Sequence, residues 1–260
     1  MITSTENKQV KNIIQLNTKS KARKKQGVFV VEGIKMFLEA PKDRVEGVYV
    51  SESFWKEEEH QQMLADYTYE VVADHVFLKM CDTLTPQGIL TVVRFFDYSL
   101  DDIMHKQDKP LIIILESIQD PGNLGTIIRT GEGAGISGVI VNKETVDLYN
   151  PKTIRATMGS IYRIPVVFSE NLSETAEVLR KKGVEVFAAH LKGMREMYDM
   201  DFTGSCAFLI GNEGNGLTDE LADMADSYLR IPMEGQVESL NAGVAASLLM
   251  YEGLRQRGRK

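Results

Sequence analysis

Apolar and polar positions along this chain switch repeatedly between helical and strand periods. Val10, Ile13, Ile14 and Leu16 fall on one helical face, and the apolar run 28–31 reads as a strand. Residues 33–40 predict a helix stopped by Pro41, and 45–50 a strand. A helical stretch with an acidic outer face over 52–66, a strand at 67–73, a short helix at 74–84 and a strand at 88–95 follow. That alternation predicts a compact α/β unit over residues 1–100. Apolar periodicity lapses over 96–110, which carries Asp97, Asp101, Asp102 and Asp108 and reads as a linker.

The aliphatic run from Leu111 to Leu115 has the pattern of a strand buried on both faces. It enters a polar turn ending at Asn123, which has the chemistry of a helix N-cap, and a helix predicted over 124–134 carries Arg129. Strands at 138–142, 164–168 and 184–191 alternate with helices at 151–161 and 172–182. The expected fold class is α/β, with a C-terminal parallel-sheet domain over 109–260 whose site lies at the C-terminal ends of its strands.

Two such ends stand out between 208 and 257. An apolar strand breaks into a loop with glycines at 211, 214 and 216, interleaved with Asn212, Glu213 and Asn215. A second strand ends at Ile231, Pro232 and Met233, after which Ser239 and Asn241 sit where a cap would open a small-residue helix. Glycines at that density let the backbone take positive φ and approach a ligand closely, which suggests a pocket for a small polar cofactor; a plain tight turn is the alternative.

Composition changes this picture little. With 260 residues, 43% hydrophobic and 26% charged, the chain can bury a real core. No aliphatic run approaches membrane-spanning length and the N-terminus lacks a signal-peptide core, so a cytoplasmic location is expected. Cys81 and Cys206 are too few and too isolated for a disulfide framework or zinc site, and no metal is expected. Charge is more informative. The net charge of −7 hides an N-terminal stretch, 1–35, with eight Lys or Arg against two Asp or Glu. Lys19, Lys21, Arg23, Lys24 and Lys25 are concentrated in one run between a helix and a strand, as in a loop that grips phosphates. Arg255, Arg257, Arg259 and Lys260 form a basic tail that reads as solvated surface.

Phosphate-loop, zinc-protease, serine-hydrolase and kinase motifs are absent, and Ile136 breaks the one glycine pattern resembling a dinucleotide fingerprint. The four histidines are isolated from one another and from the polar turns. Three ordered blocks nevertheless carry a resemblance: Asp120-Pro-Gly-Asn-Leu-Gly-Thr-Ile-Ile-Arg-Thr130, Leu209-Ile-Gly-Asn-Glu-Gly-Asn-Gly-Leu217, and Ile231-Pro-Met-Glu-Gly-Gln-Val-Glu-Ser-Leu-Asn-Ala-Gly-Val-Ala-Ala246. Together they resemble the three motifs of the SpoU/TrmH-type RNA 2'-O-ribose methyltransferases of the SPOUT superfamily, over about 109–257. The N-terminal third, with its basic run before Phe29-Val-Val-Glu-Gly33, resembles the substrate-binding domain of ribosomal-RNA members.

The resemblance implies a trefoil knot in the C-terminal sheet, a homodimer, and S-adenosylmethionine held near Gly211, Asn212, Gly214, Ile231, Met233 and Leu240. It implies catalysis by Arg129, with Asn123 orienting it or the ribose, Glu213 holding the glycine loop and helping to fix the arginine, and Ser239 and Asn241 completing the site, across the dimer interface or within one chain. A guanidinium with a pKa above about 12 suits phosphate clamping and alkoxide stabilisation better than proton abstraction. The expected activity is 2'-O-methylation of ribosomal RNA; a transfer-RNA enzyme or a non-catalytic RNA-binding protein of the same fold are alternatives. An unrelated nucleotide enzyme would need a cation in the glycine loop, and 208–229 contains no Lys or Arg.

Overall fold

The N-terminal elements follow the apolar pattern. The structure, a computed structural model, describes residues 1–190 and 193–258; Leu191, at the end of an expected strand, and Arg259 and Lys260 of the basic tail lie outside them. Helices α1 (Lys8–Thr18) and α2 (Ser20–Gln26) lead into β1 (Val28–Glu32), followed by α3 (Ile34–Glu39), β2 (Val45–Ser51), α4 (Glu52–Trp55), α5 (Glu58–Leu64), β3 (Tyr69–Val72), α6 (Asp74–Met80) and β4 (Ile89–Arg94). The strands form a mixed sheet of order β1-β4-β2-β3, with β3 parallel to β2 and the other pairs antiparallel. Val10, Ile13 and Leu16 of α1 pack with Val76, Phe77 and Met80 of α6, and Phe37, Val48, Val50, Phe54, Leu64 and Ile89 form a second cluster.

The basic run proves to be the helix α2 rather than a loop. Its Ala, Arg, Lys and Gln are good helix formers, and Gly27 at φ 66° stops it. This explains a second departure: Arg23 is buried at 3% exposure, on the inner side of α2. Its Nη1 donates to the carbonyls of Leu16 (2.6 Å) and Asn17 (3.4 Å), satisfying acceptors that the last turn of α1 leaves open. Arg23 therefore ties two helices together and leaves the phosphate-gripping set, whereas Lys19, Lys21, Lys24 and Lys25 are exposed.

The chain continues through α7 (Leu100–Met104), β5 (Leu111–Leu115), α8 (Pro121–Ala134), β6 (Gly138–Val141), α9 (Pro151–Thr157), β7 (Val166–Phe168), α10 (Leu172–Lys181), β8 (Glu185–Ala189), β9 (Arg195–Glu196), β10 (Cys206–Ile210), α11 (Asp219–Ala222), β11 (Ser227–Arg230) and α12 (Ala242–Gln256). The expected linker thus contains a helix, α7, opened by a capping box between Ser99 and Asp102. Strand order is β7-β6-β5-β10-β8-β11-β9, with every pair parallel. β10 lies between β5 and β8, so Ile210 sits beside Leu115 and the loops leaving those two strands become neighbours.

Two compact units emerge: 1–96 with Tyr149–Tyr162, and Asp97–Leu148 with the chain from Arg163 onward. The sequential division expected from the pattern misses the 149–162 excursion. Tyr149 stacks on Phe95 at 3.9 Å and on Phe29 at 4.6 Å between ring centroids, and Tyr162 donates to the Met36 carbonyl at 2.9 Å. Local periodicity shows α9 as a helix without showing what it packs against. In the second unit, Arg257 is no solvated tail residue: it donates to the carbonyls of Phe202 (2.9 Å) and Lys109 (2.8 Å) and clamps the end of α12 to the starts of β5 and β10.

Candidate active site

At the C-terminal end of β5 the chain turns sharply. Ser117 adopts φ 58°, a left-handed conformation unusual for serine, and is held there by Asn142: the Ser117 amide donates to Asn142 Oδ1 (2.9 Å) and the hydroxyl accepts from Asn142 Nδ2 (3.0 Å). The turn opens α8, with Asp120 as N-cap accepting from the Asn123 amide at 2.9 Å and Pro121 at the first position. Asn123 is therefore not the cap expected from the sequence. It sits in the first turn with its side chain available for contacts outside the helix.

Next to this turn, the glycine loop leaves β10 and closes on itself. A Cβ on Gly211 would lie 2.1 Å from the Gly216 carbonyl carbon and 2.2 Å from the Leu217 nitrogen, because the loop's exit crosses its entrance. Only glycine permits that crossing. Gly216 needs its own freedom at φ 70°, whereas Gly214 has no positive φ and a Cβ there would meet nothing closer than Asn212 Oδ1 at 3.6 Å. Asn212 builds the loop: its Oδ1 accepts from the amides of Gly214 (2.9 Å) and Asn215 (3.0 Å), and its Nδ2 donates to the Ser117 carbonyl (2.8 Å).

Glu213 joins the loop to α8. Its carboxylate accepts from the amides of Gln119 and Asp120, each at 3.0 Å, and from Asn123 Nδ2 at 2.9 Å. Burial alone would raise the carboxyl pKa, but the bonds from Asn123, Gln119 and Asp120 outweigh it and hold the group below its usual range. From the other side, Asn241 caps α12 by accepting from the amides of Gly243 (2.9 Å) and Val244 (3.2 Å), while its Nδ2 donates to Asn123 Oδ1 at 2.9 Å. Since a carboxylate only accepts, the chain of bonds has one direction: α12 amides to Asn241, Asn241 to Asn123, Asn123 to Glu213.

Between the glycine loop and the 231–240 segment lies a cavity of about 620 Å³, within the range of small-molecule sites. Ile210, Ile231, Met233 and Leu240 supply an apolar wall, Gly211 through Gly216 the backbone side, and His190, Glu196, Arg230, Glu238 and Ser239 polar groups. Close backbone approach at Gly211 beside an apolar wall suits a nucleoside cofactor with a polar tail. Among the described residues no group of three or more His, Cys, Asp or Glu could hold a metal ion, and no helix is long and apolar enough to cross a membrane.

Arg129 stands apart. It is exposed on α8 and does not line the cavity, and Glu213 is engaged by backbone amides and Asn123 rather than by a guanidinium. The expectation that Glu213 fixes Arg129 is thus corrected within one chain. α8 runs alongside α12 in the same direction: a Cβ on Gly243 would meet Thr126 Cγ2 at 3.6 Å, and one on Gly133 would meet the Tyr251 hydroxyl at 3.2 Å. Arg129 shares the exposed stripe of α8 with Thr126 and Gly133, next to an apolar stripe on α12 of Val244 (47% exposed), Leu248 (38%) and Tyr251 (48%).

Comparison with known proteins bears on this arrangement. Residues 110–251 match the SpoU rRNA Methylase family, and residues 7–91 match the MRM3-like substrate binding domain. This chain belongs to the SpoU rRNA methylase family. It is 34% identical over 252 residues to the 23S rRNA (guanosine(2553)-2'-O)-methyltransferase RlmP of Bacillus subtilis, covering 96% of this chain and 97% of that protein. Among solved structures it is similar to an AdoMet-bound rRNA methyltransferase from Sinorhizobium meliloti, with TM-score 0.85, 32% identity and coverage of 98% and 97% of the two chains. The SpoU methyltransferase AviRb from Streptomyces viridochromogenes, in complex with AdoMet, superposes with TM-score 0.86 at 28% identity, covering 97% and 98%.

Within this SpoU-family chain the fold brings Asn123, Glu213 and Asn241 into one bonded network, and gathers Gly211, Asn212, Gly214, Ile231, Met233, Ser239 and Leu240 around one cavity. Sequence reasoning missed Glu116, which binds the residue after the glycine loop, and also Glu196, Arg230 and His190 in the cavity wall. His190 and Glu196 reach the wall from the region following β8, whose adjacency to β10 and β11 is a property of strand order. Neither cysteine is suited to nucleophilic work: burial, with Glu32 nearby, pushes the Cys81 thiol up to about 12, and burial raises Cys206 to about 11 despite the Arg257 guanidinium.

Proposed function

We propose that this protein is an S-adenosylmethionine-dependent RNA 2'-O-ribose methyltransferase acting on ribosomal RNA. The observation that carries the reading is the bonded chain Asn241–Asn123–Glu213 at the edge of a cavity with a glycine backbone side and an apolar wall. The cofactor supplies a methyl group on a positively charged sulfur. Gly211, Gly214 and the 231–240 segment hold it, with Ile231, Met233 and Leu240 excluding water from its apolar parts. Asn123, fixed on both sides, keeps one amide N–H unassigned by the network and can direct it to the target ribose. Arg129, permanently cationic, holds the neighbouring phosphate and stabilises negative charge on the ribose oxygen.

The match of residues 7–91 and the exposed Lys19, Lys21, Lys24 and Lys25 support ribosomal RNA as substrate, the lysines acting as non-specific phosphate contacts. A trefoil knot in the second unit is part of the same reading, supported by the parallel strand order in which β10 is inserted between β5 and β8. So is a homodimer: the apolar stripe of Val244, Leu248 and Tyr251 needs cover, and Arg129 beside it serves the cavity of the other subunit.

Mapping 2'-O-methyl groups in ribosomal RNA from cells with and without the gene tests the activity; identical maps would refute it. Arg129→Ala is expected to lower turnover by about 10²-fold with cofactor affinity nearly intact. If the arginine acts across the dimer, mixing Arg129→Ala with a cofactor-blind Gly211→Val subunit restores activity in the heterodimer, whereas action within one chain leaves the mixture inactive. Replacing Lys21, Lys24 and Lys25 by Ala should flatten the salt dependence of RNA binding, measured across a salt series. The log–log slope should fall by up to about 0.7–0.9 for each phosphate that is no longer neutralised.

A further inference from the structure

Glu116 lies outside the cavity wall, yet it grips the part of the glycine loop whose position matters most. As the first residue beyond β5, it continues the sheet ladder by donating its amide to the Ile210 carbonyl at 2.9 Å. Its two carboxylate oxygens then close on one residue: Oε2 accepts from the Thr218 amide at 2.8 Å and Oε1 from the Thr218 hydroxyl at 2.7 Å. The same hydroxyl accepts from the Leu221 amide at 3.3 Å, so both of its roles are used. Thr218 directly follows the Gly216–Leu217 peptide that crosses over Gly211, and Leu217 is anchored in the core beneath.

The three side-chain attachments of the glycine loop to the β5–α8 turn divide the labour. Asn212 Nδ2 fixes the entrance through Ser117, Glu213 fixes the middle through Gln119, Asp120 and Asn123, and Glu116 fixes the exit through Thr218. Since the entrance and exit backbones touch at Gly211, a shift of the exit alters the surface that Gly211 presents to the cavity. We propose that Glu116 is a positioning residue for the cofactor, setting the exit of the glycine loop through Thr218 without touching the ligand. This rests on the cofactor reading of the cavity. Two bonds to a carboxylate are strong enough for their loss to be felt at the neighbouring backbone, on the order of tenfold in binding.

The test is calorimetric titration of the full-length protein with S-adenosylmethionine, together with methylation kinetics at varied cofactor concentration. Glu116→Ala is expected to weaken cofactor binding about tenfold while kcat at saturating cofactor stays within about twofold, because uniform binding is lost rather than transition-state stabilisation. Glu116→Gln can still accept from the Thr218 amide and donate to its hydroxyl, so it should stay within about threefold of wild type, as should Thr218→Ser. Thr218→Val removes the hydroxyl's bonds to Glu116 and to the Leu221 amide, and the loss in the double variant Glu116→Ala/Thr218→Val should be smaller than the product of the two single losses, the signature of a shared interaction. Should Glu116→Ala not fold, Thr218→Val against Thr218→Ser carries the same comparison at about threefold. The inference is overturned if the alanine variant binds cofactor within twofold of wild type, or if the loss appears in kcat at saturation. Failure of the wild type itself to bind the cofactor would overturn the functional reading instead.

Discussion

The two walls of the cavity are held in opposite ways. Residues 211–218 close on themselves through paired Asn212 and Gly216 backbone bonds and are attached to the 116–123 turn by Glu116, Asn212 and Glu213. Residues 231–240 face them without such stitching. Glu234, Glu238 and Ser239 have no hydrogen-bond partner among the described residues, and regular structure resumes only at the Asn241 cap. One wall is thus fixed by its own hydrogen bonds and by those to the neighbouring turn, and the other has no comparable set. Rigid preorganisation on one side limits the entropy lost on binding, and a loosely tied second side lets a ligand enter and leave.

The largest expected effect separates two glycines of the rigid wall. Gly211→Val should abolish detectable cofactor binding, a loss of more than about 10²-fold, because any Cβ overlaps the Gly216–Leu217 backbone. Gly214→Ala should stay within about threefold, since its added carbon has room. Equal losses in a titration of both variants would mean that the loop is not held as a closed crossing.

Hydrogen exchange sharpens the contrast itself. On adding S-adenosylmethionine, amides of 233–240 should gain about tenfold or more in protection while those of 212–218 change by less than about threefold, as expected when one wall is ordered by the ligand and the other beforehand. Comparable gains in both segments would erase the distinction.

The smallest effect concerns pH. Glu213 has its folded pKa depressed, so the stabilisation it gives the rigid wall is present above the unfolded value of about 4.3 and is lost as pH falls through the lower folded value. Cofactor affinity should therefore stay flat from about pH 8 to pH 5 as far as this group is concerned, and decline only below the usual glutamate range. Glu213→Gln should remove that acid limb while lowering affinity across the whole range. A wild-type decline centred near about pH 6 would point to a group other than Glu213.

Much of the rigid wall is legible in the sequence, since glycines interleaved with Asn and Glu after an apolar strand carry their conformational meaning locally. The purpose of each residue is less so. Asn123 reads as a cap because capping chemistry is local, but Asp120 takes that place and leaves Asn123 to join Asn241 to Glu213. Arg23 reads as a phosphate ligand because a cation within a basic run is usually solvated, but the inner face of α2 and the open carbonyls of α1 claim it. Arg257 likewise reads as part of a solvated tail, whereas the carbonyls around the starts of β5 and β10 receive it.

What the sequence by itself determined are the properties that depend on neighbours along the chain: the alternation of helix and strand, the buried parallel-type strand at Leu111–Leu115, the glycine turn and the three ordered blocks that mark the family. Tertiary structure decided which distant segments meet. β10 lies beside β5 although about ninety residues separate them, which places Glu116 on Thr218 and Glu213 on Asn123; the 149–162 stretch joins the first unit because aromatic rings there accept Tyr149. Local patterning specifies backbone conformation and which face is apolar, but the partner of a carboxylate or an aromatic ring is chosen by strand order and packing, which no single stretch of chain contains.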